Sequence, residues 1–244
     1  MEQFTIYRAL ELLSGLIVAY LLGSIPSAVW IGKSFYGTDV RQEGSHNAGA
    51  TNTIRVLGLL PGLIVLACDI TKGWFAVYLS SNVFGSFLKD WDWFNDFSYY
   101  SLTVAIVVVV GHALPFFAHF KGGKGVATML GAVIGLFNNI IPFVLAVFVL
   151  TFILTHYISV SSMMAAISFP VLYLTSKLWL PKHEDITVPM AIFSVIVAVF
   201  IIWTHRKNIK RLINHEEPKF QFKKTITTEH DRKKQEKHSL DNDK

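Results

Sequence analysis

Long apolar runs constrain this chain more than any other feature. Residues 99–120 and 186–203 carry almost no charge, and about 18 apolar residues in a row suffice to cross the hydrocarbon core of a bilayer. Charged residues make up 16% of the chain and hydrophobic residues 52%, against about 25% charged in an ordinary soluble domain. One soluble core does not need so many long apolar stretches. The expected fold class is therefore an all-α integral membrane protein.

Seven transmembrane helices are expected, over residues 9–32, 56–80, 99–118, 126–138, 140–155, 160–179 and 186–205. The stretch 126–155 reads as two helices, because thirty residues at 1.5 Å each would span about 45 Å against about 30 Å of hydrocarbon. Asn138-Asn139, with Pro142 just beyond, supplies the turn. The first run lacks a charged leader and a small-residue cleavage site, so it reads as a retained helix. Charge sets the orientation. With seven helices and the N-terminus outside, Lys33, Arg41, Arg55, Lys121, Lys124 and the basic C-terminal tail all fall inside, as positive-inside topology requires. The outer segments and adjoining helix ends then hold Arg8, Lys89, Lys177 and Lys182. Trp91, Trp93, Phe94, Phe97, Tyr99 and Tyr100 suit an interfacial aromatic belt or packing under a loop.

The net charge of +5 is concentrated at one end. Twelve of the 22 Lys and Arg lie from Arg206 onward, beside the membrane, which suits anionic lipid better than nucleic acid. Residues 1–217 form the expected membrane domain. Residues 218–244 form a basic polar tail, with 225–244 expected to be disordered. The single cysteine, Cys68, sits in an apolar run; no Cys/His spacing suggests a metal, and no cofactor is expected.

Polar stretches that interrupt the apolar pattern fall on the inner side. Gly44-Ser45-His46-Asn47-Ala48-Gly49-Ala50-Thr51-Asn52, followed by Arg55, combines small residues, hydroxyl and amide donors and a guanidinium suited to phosphate; loops also have this composition for turn reasons. Lys121-Gly122-Gly123-Lys124-Gly125 leads into a helix N-terminus, an anion site by geometry and dipole, or a positive-inside turn. Its spacing is not that of a Walker A loop. Ser159-Val160-Ser161-Ser162 opens the sixth helix and can bind phosphate or cap the helix. His205 and Asn208, three apart at the root of the tail, share a helix face. Asp69 and Lys72 read as an ion pair inside the second helix. His112 reads either as catalytic or as bonding a carbonyl freed by Pro115. Asp39 and Glu43 are the obvious acids before the tail on this side, too few for the carboxylate cluster of a magnesium-dependent phosphotransferase.

At these motifs the chain resembles the bacterial acyl-phosphate-dependent glycerol-3-phosphate acyltransferase family. The resemblance covers about residues 10–217. It is carried by Gly23-Ser24-Ile25-Pro26, the Ser45 to Arg55 stretch, Leu66 to Gly73, Gly111-His112 with Pro115 and then Phe120 to Thr128, Tyr157 to Val160 with Ser162, and His205-Arg206 with Asn208-Ile209 and Arg211-Leu212. His46 stands where the family usually has glycine. The resemblance implies acyl transfer from acyl-phosphate to the 1-position of glycerol 3-phosphate, without metal, cofactor or acyl-enzyme, at the cytoplasmic face of the bacterial plasma membrane. This is the first step of phospholipid synthesis, fed by an enzyme that makes acyl-phosphate. By motif position, Ser45, Arg55, Lys124 and Ser159 hold phosphate groups, and His205 and Asn208 bind glycerol 3-phosphate or orient its hydroxyl. Asn47, Thr51, Asn52, Gly122 and Gly123 belong to the expected substrate site, with the Gly122 and Gly123 amides as oxyanion donors. The base is His205 or a substrate phosphate. The rival reading is an anion or phosphate transporter, against which stand the lack of repeated halves and the clustering of polar motifs at one face.

Overall fold

The computed structural model describes residues 2–84, 97–180 and 186–220. Within them the chain is all-α. Trp91, Trp93 and Phe94 of the expected belt, Lys89 and Lys182 of the outer charge count, the side chains of Phe97 and Arg8, and the tail stretch 225–244 lie outside what is described.

The apolar runs form the expected helices, with three corrections at their ends. The first run is two helices, α1 (Glu2–Gly23) and α2 (Ser27–Tyr36), bent by 40°. Pro26 lacks an N–H and restricts Ile25 before it, so the helix cannot continue. The second run is preceded by a separate helix, α3 (Ala50–Leu57), and Gly58 at φ 102° turns the chain into α4 (Leu59–Leu79). Thr51, Asn52 and Arg55 thus sit on a helix rather than in a loop. The last run is α9 (Val188–Thr204), followed after a 55° bend by α10 (Arg206–Ile213). Between these lie α5 (Phe97–Ala113), α6 (Val126–Leu136), α7 (Ile141–Thr155) and α8 (Ile158–Trp179). The break between α6 and α7 falls at Asn138-Asn139, with Pro142 in the first turn of α7.

Among the described residues, three helical stretches are long and apolar enough to cross a membrane alone, or five if each bent pair is one span. The α6 and α7 helices are shorter apolar helices. Many large apolar side chains face outward, Leu154 at 74% and Leu178 at 86% exposed among them, as a lipid-facing surface requires.

Tight crossings hold the bundle. Gly73 on α4 lies against the Thr128 carbonyl of α6, and Gly131 on α6 lies against the Ile70 carbonyl of α4; a side chain at either would strike backbone. Small residues are the usual means of close helix approach in lipid. Tyr100 is buried, its hydroxyl donating to the Leu12 carbonyl at 3.2 Å, so it joins α5 to α1, while Tyr99 is half exposed. Asp69 and Lys72 form the expected pair at 2.9 Å, both buried. Lys72 also donates to the Ile25 carbonyl at 2.8 Å, satisfying backbone at the α1–α2 break.

Candidate active site

One cavity of about 480 Å³ collects the polar motifs. Ser45, Asn47, Thr51, Asn52, Arg55, Lys124, Ser159, His205 and Asn208 all line it. The first turns of α3, α6 and α8 reach it through Ala50, Val126 and Ile158. The unpaired N–H groups of a helix start and its dipole both favour anions. Below this polar mouth the wall is apolar, with Met129, Val133, Val144, Ala165, Phe169 and Val197 among its residues.

The sequence motifs meet through hydrogen bonds. The Lys124 ammonium donates to the Asn208 amide oxygen. The other side of that amide donates to the Glu217 carboxylate at 2.6 Å. Glu217 also accepts from the Ser159 hydroxyl at 2.8 Å and from Arg211 Nε at 2.7 Å. Burial pushes the Glu217 carboxyl up, but its bonds from Asn208, Arg211 and Ser159 outweigh this and hold it below its ordinary value. Glu217 and Arg211 were not expected in the site. The legible signal was an acid directly after a basic helix, where composition alone suggested a solvated tail.

Lys124 is depressed to about 8, first by burial and then by Arg211 and Arg55, against an upward pull from Glu217. It is mostly cationic at neutral pH. Arg55 makes no side-chain hydrogen bond among the described residues and faces the same cavity. His205, at the bend beyond α9, directs Nδ1 to the Ile201 carbonyl at 2.8 Å. That carbonyl can only accept, so Nδ1 carries the proton and Nε2 is left as the acceptor. His205 is 4% exposed and lines the cavity together with Lys124.

Asn52 is 1% exposed. Its carbonyl oxygen accepts from the Ser45 amide and hydroxyl, at 2.7 and 3.1 Å, and its NH₂ donates to the carbonyls of Val40 and Glu43. Its amide is occupied in shaping the loop that carries Ser45. His46 in that loop has φ 57°, a left-handed conformation that glycine adopts more readily.

The expectation for Gly122 and Gly123 needs correction. Their amides donate to the carbonyls of Ala113 and His112, both at 3.2 Å, and neither residue is among those lining the cavity. They are spent as backbone donors, which removes them as oxyanion donors here. Close packing accounts for both glycines. A Cβ on Gly123 would strike the His112 ring and stand 2.8 Å from the Ala48 carbonyl oxygen; one on Gly122 would strike the His112 carbonyl. The loop is pinned from its far side by Arg41, whose Nη1 donates to the carbonyls of Ala118 and Lys121 at 3.0 and 3.3 Å. Arg41 in turn is held by Asp39 at 2.7 Å, whose carboxyl its hydrogen bonds keep well below the usual range.

Among the described residues, the His112 ring bonds no freed carbonyl. Its Nδ1 lies 3.6 Å from Asp69 Oδ1, which also accepts from Ser27 at 3.1 Å. Both Asp69 and His112 line the cavity.

The profile of the family described as Glycerol-3-phosphate acyltransferase matches residues 13–215. A glycerol-3-phosphate acyltransferase of Fusobacterium nucleatum is 39% identical over 207 residues, 85% of this chain and 97% of that protein. One from Listeria monocytogenes is 39% identical over 210 residues, 84% and 95% of the two chains. The crystal structure of PlsY, an integral membrane glycerol 3-phosphate acyltransferase, in its glycerol 3-phosphate form superposes with a TM-score of 0.72. It is 34% identical and covers 86% of this chain and 96% of its own. The lysophosphatidic acid form gives 0.69 at 32% identity, covering 86% and 95%.

Proposed function

The chain belongs to the glycerol-3-phosphate acyltransferase family, and from that premise we propose that it transfers a fatty acyl group from acyl-phosphate to the 1-hydroxyl of glycerol 3-phosphate. The products are 1-acylglycerol 3-phosphate and inorganic phosphate. The observation that carries this reading is the convergence of Arg55, Lys124, Ser45, Ser159, His205 and Asn208 on one cavity whose deeper wall is apolar. A mouth with cations, hydroxyls and three helix starts suits two phosphate groups. An apolar interior suits the acyl chain.

The chemistry asked of the protein is modest, because phosphate is already a good leaving group. Two phosphate dianions must be held together and oriented, which Lys124 and Arg55 favour by offsetting their repulsion. The 1-hydroxyl oxygen bonds to the acyl carbon, the bond from that carbon to the phosphate oxygen breaks, and the electron pair leaves with phosphate. His205 Nε2 can accept a hydrogen bond from the attacking hydroxyl and so aim it. A phosphate monoester titrates near 6 and belongs to the reacting pair itself, so the hydroxyl proton passes to a substrate phosphate oxygen. First-turn amides of α6, at Val126 and Ala127, take the oxyanion role that Gly122 and Gly123 cannot fill.

In this reading the seven apolar segments each cross the bacterial plasma membrane, with the N-terminus outside and the cavity mouth facing the cytoplasm. An upstream enzyme supplies the acyl-phosphate. The test is purified protein with glycerol 3-phosphate and either acyl-phosphate or acyl-CoA. Lysophosphatidate formed from acyl-phosphate, with little or none from acyl-CoA, is the expected result. Efficient use of acyl-CoA alone would overturn the donor assignment.

A further inference from the structure

The apolar part of the cavity runs along four helices, with Leu145 and Val149 of α7 on its outward flank. The deepest lining residues are Val133 on α6, Ile141 on α7, Phe169 on α8 and Val197 on α9. One step further in, Phe137, Ile140, Tyr173 and Phe193 no longer line it and are at most 4% exposed. The Phe137 ring meets Phe169 and Tyr173 edge-on, at 5.0 and 5.2 Å between centroids, and stacks on Phe193 at 6.1 Å. The Tyr173 hydroxyl accepts from the Thr187 amide at 3.2 Å. An aromatic plug made this way is a rigid, well-packed stop.

Resting on the acyl-phosphate reading above, we propose that this plug, with Phe169 as its upper surface, is a ruler that sets the length of the acyl chain the enzyme accepts. Ser159 at the mouth and Phe169 at the floor are ten residues apart on one helix, about 15 Å. With carbon–carbon bonds of about 1.52 Å, an extended chain advances roughly 1.25 Å per methylene. Roughly a dozen carbons therefore lie straight between phosphate and floor, and a longer donor must bend. Ala165, one turn above Phe169 and also lining the wall, leaves the space the chain fills.

The experiment uses the purified full chain and pairs of saturated acyl-phosphates of different length competing for glycerol 3-phosphate. Product ratios are read by mass spectrometry, so the amount of folded enzyme cancels. Phe169→Ala is expected to lower the floor by about one helical turn and move the preferred length up by about four carbons. Ala165→Leu fills the channel above an intact floor and is expected to move it down. A pair differing by two methylenes should change in ratio by about tenfold, because each buried methylene adds to binding. Either variant that turns over decides the matter. Unchanged ratios while transfer continues overturn the ruler and leave the donor assignment standing. No product from any acyl-phosphate with the wild-type chain overturns the donor assignment, and the ruler with it.

Discussion

Replacing Asp69 by Asn tests how the buried charges in the cavity wall are held. Asp69 is 1% exposed, Lys72 6% and His112 7%. The carboxylate receives Lys72 at 2.9 Å, Ser27 at 3.1 Å and His112 at 3.6 Å. Asn keeps the shape and loses the charge, leaving a buried ammonium with the Ile25 carbonyl as its remaining partner. Breaking one side of a buried pair costs about 3–5 kcal/mol, mostly the uncompensated charge. At about 2–4 °C per kcal/mol for a chain of this size, the apparent Tm should fall by about 10 °C. Lys72→Met alone should cost a similar amount. The double variant Asp69→Asn/Lys72→Met removes the stranded charge, so it should lose about 2 kcal/mol less than the sum of the singles. Tryptophan fluorescence during heating in detergent reads all four proteins. A drop under about 2 °C for Asp69→Asn, or strict additivity in the double variant, would refute the reasoning.

Lys124→Ala should lower kcat/KM by about 10²- to 10³-fold, as loss of one electrostatic stabiliser does, with insertion and Tm near wild type; near wild-type turnover would contradict its role. The free-enzyme profile of kcat/KM should fall above about pH 8, where Lys124 loses its proton. The protonated form is the one that binds phosphate, so activity lies on the acid side of that limb, and Lys124→Arg should move the limb upward. Glu217→Gln keeps the size but presents a donor toward Arg211 and weakens the bonds from Ser159 and Asn208. Charge-assisted bonds contribute about 1.5–3 kcal/mol each, so a roughly tenfold to hundredfold loss in kcat/KM is expected, and an unchanged value would remove Glu217 from the positioning network.

Much of this architecture is legible in the sequence because lipid imposes a simple rule, that each run of apolar residues becomes a helix. The split at Asn138-Asn139 follows from length and turn chemistry. Helix ends are less legible. The α3 helix, only eight residues, follows a Gly- and Asn-rich stretch that reads as loop, and it packs against α4. The site motifs announce their chemistry, but which atoms are already occupied is set by tertiary contacts. Asn52 looks like a ligand and is spent on four bonds to the loop that precedes its helix. Gly122 and Gly123 look like an oxyanion cradle and instead allow the loop to press on His112 and Ala48. Glu217 looks like a tail residue, yet three partners from α8 and α10 converge on it.

The central claim is that segments far apart in sequence bring their phosphate-binding groups to one aqueous mouth on one side of the membrane. Gln42, Lys121 and Lys210 are exposed, on three separate segments that carry Ser45, Lys124 and Asn208. Each can be replaced by Cys in a Cys68→Ser background and treated with a membrane-impermeant maleimide in right-side-out and inverted vesicles. All three should label in inverted vesicles and be protected in right-side-out ones. Labelling of any one of them from the opposite side to the others would contradict a shared mouth, and the proposed enzyme with it.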